Sequence, residues 1–194
     1  MFKWTVDVEY DWGGRTNGTK GIKEGLPVIL ETFSNYGISA LFFISTELLR
    51  EHSDLVKTIR DRGHSVGSHG HFHQKYGEVF RYEADKELSF EVLGEKTHYR
   101  APWFNYETED GYSQKRGHIS VLKYAWGLQR ICSDPIFYIH PFDIVDGDKP
   151  PSLFTALLYS RPSIVLDTFK RLCRFYPGES LLGKDAQINN YSDN

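Results

Sequence analysis

The chain has 194 residues, of which 40% are apolar, 25% charged and 15% aromatic, and its net charge is -3 at pH 7. That composition suits one folded domain and excludes a disordered chain, and the scattered Lys and Arg exclude a nucleic-acid backbone as partner. No stretch approaches the roughly 20 apolar residues of a membrane span. Cys132 and Cys173 are too few for a disulfide scaffold and lack zinc-knuckle spacing, so both read as free thiols. Residues 1–188 read as one domain and 189–194 as a frayed tail. No signal-peptide pattern follows Met1, so the expected compartment is the cytoplasm. Composition does not address the oligomeric state.

Residues 2 to 11 alternate as a strand, with Thr5, Asp7, Glu9 and Asp11 on one face and Trp4, Val6, Val8 and Tyr10 on the other. A column of carboxylates facing a polar cavity needs a cation. Gly13, Gly14, Asn17 and Gly18 mark a loop. Ile22, Leu26, Ile29, Leu30 and Phe33 then recur at helical spacing until Gly37, with Pro27 in the first turn or at a kink. Ser39 to Ser45 is a buried-strand candidate, and Leu55, Val56 and Ile59 outline a helix capped by Ser53 and ended by Gly63.

A short strand is expected at His64 to Ser68, a helix within Glu78 to Leu93 and a strand at Thr97 to Arg100. Further on, the pattern predicts a helical stretch near Glu109 to Gly117 and strands at Val121 to Ala125 and Ile136 to His140. Residues 152 to 175 read as helical, interrupted at Arg161-Pro162, and Ser180 to Leu182 as a last strand. This alternation predicts an α/β protein with a parallel sheet, open or closed into a barrel. In such folds functional residues gather where strands end. Asp7 and Glu9 lie late in the first strand, and His69, Arg100 and His140 lie at the ends of later ones.

His69-Gly70-His71-Phe72-His73 supplies a His-x-x-x-His pair at a strand exit. Two imidazoles and one carboxylate would fill the three protein positions of a catalytic zinc site and leave a fourth for water. Glu9 and Asp11 share a face, and both are candidates for the carboxylate. His71 reads as a neighbour of the metal, and His52, His64, His98 and His118 as structural or exposed. Trp103, Phe104, Tyr106 and Trp126 offer aromatic faces suited to a sugar ring, or to the core.

The block Arg62 to His73 resembles the metal-binding motif of polysaccharide deacetylases, the carbohydrate esterase family related to the rhizobial chitooligosaccharide deacetylase. Thr5-Val6-Asp7-Val8-Glu9 resembles that family's first motif, Arg100-Ala101-Pro102-Trp103 its arginine-proline motif and Phe137 to Pro141 its late histidine motif. Ser39 to Ile44 is similar to its second strand, so the resemblance runs in order from residue 3 to about residue 141. It implies a distorted, incomplete (β/α)7-type barrel with the active site at the carboxyl ends of the strands.

It further implies a metal-dependent hydrolase that removes an N-acetyl group from an amino sugar of surface polysaccharide. Asp7 would be the general base and His140 the general acid, with Arg100 pairing with Asp7. Glu9, His69 and His73 would hold a divalent cation, zinc first and cobalt, nickel or iron(II) as alternatives; Trp103, Phe104 and Trp126 would meet the sugar. The spaced acids Asp7 and Glu9 match the variant first motif of a subgroup, since most members carry two adjacent aspartates. Many relatives place an aspartate after a Lys-Tyr pair to tune the late histidine, whereas Lys123-Tyr124 is followed by Ala125-Trp126, so the tuning of His140 must come from elsewhere.

Gly18 to Pro27 resembles deformylases acting on formamido-arabinose linked to a polyprenyl phosphate, and equally suits a helix start. Deformylation of a lipid- or nucleotide-linked sugar is therefore one alternative, and a non-catalytic carbohydrate-binding relative another. A two-histidine, one-carboxylate iron oxygenase usually sits in an all-β fold, which the helical runs oppose.

Overall fold

A computed structural model describes residues 3–13, 16–73, 82–104, 117–128, 134–146 and 161–178. Five strands, β1 (Trp4–Val8), β2 (Leu41–Ile44), β3 (Ser65–Ser68), β4 (His118–Ser120) and β5 (Ile136–Ile139), form one sheet in the order β3-β2-β1-β5-β4, and every pairing is parallel. Parallel neighbours need crossover connections. The helices α1 (Leu26–Asn35), α2 (Leu55–Asp61), α3 (Tyr82–Leu93), α4 (Val121–Ala125) and α5 (Pro162–Phe175) alternate with the strands. Among the described residues, no helix is long and apolar enough to cross a membrane.

The central strand β1 is buried throughout, and its alternation separates two interiors. Trp4, Val6 and Val8 join Phe42, Ile44, Phe137 and Ile139 in the main core, with Leu26, Ile29, Leu30 and Phe33 of α1 and Val165, Phe169 and Leu172 of α5. Trp4 anchors this core, stacked on Phe137 at 4.9 Å and edge-on to Phe33 at 5.7 Å and Phe169 at 5.4 Å. Thr5 and Asp7 alternate with these residues, and their side chains meet Arg100 instead.

Register sets the depth of the site. Pairing of Val6 with Ile139 brings the next residues along the two strands, Asp7 and His140, to one level. Pairing of Ile44 with both Val8 and Ser68 does the same for Glu9 and His69.

Several expectations need correction. β1 stops at Val8, and Asp11 lies in a turn where it accepts hydrogen bonds from the Lys20 and Gly21 amides, both at 3.0 Å. Thr97 to Arg100 makes a single bridge, Ser68 to Tyr99, rather than a strand. Val121 to Ala125 is helical, because Ser120 caps the Lys123 amide and ends the strand at His118–Ser120. α2 has Asp54, not Ser53, at its N-cap, without a side-chain bond. α5 begins at Pro162, which suits a first helical turn.

Residues 109–116, 152–160 and 180–182, together with Tyr106, Cys132 and the tail, fall outside the described residues, and Cys173 is a buried free thiol. The glycine-rich stretch does lead into α1, through a π-helical turn at Gly21–Gly25. That turn also packs on the segment following His140: a Cβ at Gly25 would lie 2.0 Å from the Pro141 carbonyl oxygen, so only glycine fits.

His64 is wedged between Phe33 and Phe42, and its Nδ1 accepts from the Ala40 amide at 3.4 Å. Burial, aided by Arg62, lowers its pKa from 6.5 to about 4. Between those values the unfolded chain takes up a proton that the folded chain refuses. The contribution of His64 to stability is therefore complete above pH 6.5 and is lost as pH falls toward 4. Urea unfolding should show stability declining over that window by up to about 1.4 kcal/mol per pH unit from this group. His64→Gln should flatten the decline, and an unchanged slope would contradict the assignment.

Candidate active site and metal centre

Arg100 is fully buried, with its guanidinium 4.3 Å from the Phe43 ring centroid, 5.0 Å from that of Phe104 and 5.9 Å from that of Tyr138. A cation removed from water needs hydrogen-bonding partners. Arg100 donates to Asp7 Oδ1 at 2.5 Å and to Thr5 Oγ1 at 3.0 Å. Burial pushes the Asp7 carboxyl up, but Arg100, then His69 and His140, outweigh it and hold the group below the usual aspartate range. Asp7 is thus an ionised base with one oxygen fixed by Arg100 and the other 3.9 Å from His140 Nε2.

One residue beyond β1, Glu9 meets His69 and His73. His69 Nε2 lies 3.3 Å from Glu9 Oε2, and His73 Nε2 approaches the same oxygen. Candidate ligand atoms of the three residues all fall within 4.8 Å of one another. Burial works against ionising Glu9, but positive charge on the two imidazoles outweighs it and holds the group far below the ordinary range. The Arg100 carbonyl lies 2.8 Å from His69 Nδ1. A carbonyl only accepts, so Nδ1 carries a proton, and in the neutral imidazole that metal binding requires the Nε2 lone pair faces the carboxylate.

A ring nitrogen this close to a carboxylate needs positive charge between them, either a proton on Nε2 or a metal ion. Glu9 Oε2 is buried with no hydrogen bond among the described residues. Two imidazoles and a carboxylate are the donor set of a divalent cation site, and the carbonyl behind His69 is the outer partner such ligands commonly have. The residues therefore fit a divalent cation. Asp11 spends both oxygens on the Lys20 and Gly21 amides.

The loop carrying the histidines is clamped from two sides. Asp85 of α3 accepts from the His71 amide at 3.0 Å and the Phe72 amide at 2.9 Å, while the Thr46 and Glu47 amides donate to the Gly70 and His71 carbonyls at 3.0 and 3.1 Å. His71 Nδ1 is engaged by Thr46 Oγ1 at 2.8 Å. His73 has a φ of 54°, in the left-handed region that residues with a Cβ adopt at a cost, directly after the clamped segment. Trp12, Trp103 and Phe104 share that strain, with φ of 65°, 62° and 53°, so all the described non-glycine positive-φ residues belong to segments flanking the site.

His140 leaves β5 opposite Asp7, and Asp143 turns it. Asp143 Oδ2 accepts from the His140 amide at 2.9 Å and lies 3.2 Å from its Nδ1, closing a capping box around Pro141. The carboxylate fixes the proton on Nδ1 and points Nε2 at Asp7 and at Glu9 Oε1, 3.7 Å away. Burial opposes charge on the imidazole, but Asp143, then Glu9 and Asp7, raise its pKa from 6.5 to about 9, so it is an imidazolium at neutral pH. Its side chain is 21% exposed, against 2% for Asp7 and 3% for Glu9, so it stands at the mouth of the site.

Asp143 supplies the tuning expected from elsewhere, and the signal for it was a carboxylate three residues after a histidine, across a proline. Asp85 carried no comparable signal. Trp103 lies 5.7 Å from the His73 ring and beside Gly13, next to the cation group. Phe104 instead packs on Arg100, Tyr138 and His118, and Trp126, at the end of α4, packs against the main core.

Replacing Arg100 by Met should leave Asp7 charged, buried and unpaired, and lower unfolding stability by about 3–5 kcal/mol in urea titration. Combining it with Asp7→Asn should recover part of that loss, and a neutral single variant would contradict the pairing. In calorimetric zinc titration Glu9→Gln should weaken binding at least ~10-fold, a loss typical of disturbed ligand shells. Asp11→Asn should stay close to the wild type, and the reverse order would make Asp11 the ligand.

A family model describing polysaccharide deacetylases matches residues 7–115. A peptidoglycan deacetylase of Helicobacter pylori is 32% identical over 89 residues, a stretch covering 42% of this chain and 30% of that protein. Among solved structures, the peptidoglycan deacetylase PdaC of Bacillus subtilis is similar at a TM-score of 0.54 and 13% identity, covering 96% of this chain and 91% of that one. A CE4 family pseudoenzyme from Bacillus anthracis is similar at a TM-score of 0.53 and 14% identity, covering 90% of this chain and 62% of that one. These likenesses show the expected fold, a parallel α/β sheet of the distorted-barrel type. With the family match extending over more than half its length, the chain belongs to the polysaccharide deacetylase family.

Proposed function

We propose that this protein is a metal-dependent amide hydrolase that removes the N-acetyl group from an amino sugar of surface polysaccharide, with zinc as the cation. The observation that carries this reading is the convergence of an ionised base, an imidazolium and a three-residue cation site within a few ångströms. Asp7 and Glu9 of the first strand, His69 and His73 after β3 and His140 after β5 face one another there, and Arg100 is locked to Asp7. The alternation Asp7-Val8-Glu9 is the basis for assigning the spaced-acid subgroup.

A divalent cation held by Glu9, His69 and His73 would supply Lewis acidity and acidify a water molecule. Asp7, ionised and aimed by Arg100, accepts a proton from water at Oδ2, the oxygen left open. His140, protonated at neutral pH, hands the proton on its Nε2 to the departing amine nitrogen, and Asp143 keeps the imidazole facing the site throughout. Tyr138, whose phenol is pushed up to about 12 by burial and then by Asp7, stays neutral and adds no competing charge. Trp103 borders the space where the sugar would lie.

The test is incubation of zinc-loaded protein with N-acetyl and N-formyl amino-sugar conjugates, with released acid detected by NMR. Acetate should appear, and Asp7→Asn should slow its release ~100-fold or more, within the range for loss of a general base. Release of formate alone would move the assignment to deformylation. No acid from any conjugate, or equal release by Asp7→Asn, would overturn the hydrolase reading in favour of a carbohydrate-binding relative.

A further inference from the structure

Gly70, His71 and Phe72 separate the two histidines of the cation group, and the amides of all three are held by α3, directly or through one further side chain. Asp85 and Ser89 lie one turn apart on that helix and so share a face. Asp85 Oδ2 accepts from the His71 amide and Oδ1 from the Phe72 amide, one oxygen to each. Ser89 acts through Ser68. Its hydroxyl donates to the Lys86 carbonyl at 2.5 Å, which leaves its oxygen to accept from the Ser68 hydroxyl, also at 2.5 Å, and Ser68 Oγ accepts in turn from the Gly70 amide at 3.1 Å.

A carboxylate is a costly choice for this place. Asp85 is buried, and among the described residues no cationic side chain pairs with it; its neighbour Lys86 turns to Glu83 instead. Packing alone would be served by an apolar residue. What the carboxylate adds is two strong acceptors side by side, whereas asparagine has one acceptor oxygen and would set its NH2 against the second amide. Gly70 makes the room for it, since a Cβ there would lie 2.6 Å from Asp85 Oδ2.

The tethered amides lie between His69 and His73, so fixing them fixes the separation of the two imidazoles before any ion arrives. Order that an ion would otherwise have to impose is then already met by folding. Resting on the cation site of the deacetylase reading, we propose that Asp85 is a positioning residue for the metal. From behind the loop it presets His73 against His69 and Glu9 and so governs how tightly the ion is held, while both its oxygens stay on the amides.

Zinc affinity, measured by chelator competition, is compared among the wild type, Asp85→Asn, Asp85→Ala and Phe33→Leu, the last a control for general destabilisation of the main core. The visible spectrum of each cobalt(II)-loaded protein reports ligand geometry, and circular dichroism of each metal-free protein reports folding. Loss of one amide bond in Asp85→Asn should weaken zinc binding about tenfold, and loss of both in Asp85→Ala should approach a hundredfold, the range for groups that support metal ligands. Both should alter the cobalt spectrum, whereas Phe33→Leu should lower unfolding stability and leave affinity and spectrum as they were. If Asp85→Ala does not fold, the asparagine variant decides. Affinity and spectrum indifferent to Asp85→Asn, or an equal loss of affinity in Phe33→Leu, would overturn the positioning role. Acetate release by the wild type alongside that indifference would leave the hydrolase reading standing. A wild type that binds no zinc would remove the cation site and this role together.

Discussion

Arg100 has no route to water: three aromatic rings surround its guanidinium, and its charge is answered by Asp7 and the Thr5 hydroxyl. Such a pair gives little net stability relative to an apolar core, because both ions have lost their hydration. Its consequence is directional. Asp7 cannot protonate or rotate without stranding a buried cation, so the carboxylate stays ionised with its second oxygen toward His140. The Arg100 backbone extends the same constraint to the cation group, since its carbonyl sets the proton of His69 and leaves the other ring nitrogen facing Glu9. One residue thus aims the base with its side chain and a ligand with its main chain.

The parallel sheet delivers the remaining groups to one depth. β1 stands in the middle, so Asp7 and Glu9 have β2 and β3 on one side and β5 on the other. Their neighbours at that level are the histidines that leave β3 and β5. What the sheet cannot do is turn the chain beyond a strand end, and there the protein accepts backbone strain. His73, Trp103 and Phe104 hold left-handed conformations, His73 directly after the two amides that Asp85 binds and Phe104 against the Arg100 guanidinium.

Much of this was legible in the sequence because it depends on period and order. Alternation in Trp4 to Glu9 placed Asp7 with Glu9, and the spacing of His69 and His73 allowed two ligands at one strand exit. Features that depend on where a local hydrogen bond captures the backbone were not legible. Asp11 continues the alternation in sequence, but the amides of Lys20 and Gly21 claim it for a turn. Val121 to Ala125 has strand-like residues, yet the hydroxyl of Ser120 starts a helix. Asp143, although only three residues from His140, was hidden because its effect arises from a turn closed around Pro141. The aromatic residues were the hardest to place, since Phe104 and Trp126 went to packing while Phe72 was left open.

The account depends most on a single cation held jointly by Glu9, His69 and His73. X-ray absorption at the zinc edge, on protein loaded with one equivalent, tests this directly. It should show two imidazoles and oxygen ligands without sulfur, with one imidazole lost in His73→Ala. Failure to retain one equivalent of zinc, or a spectrum that His73→Ala leaves unaltered, would contradict it.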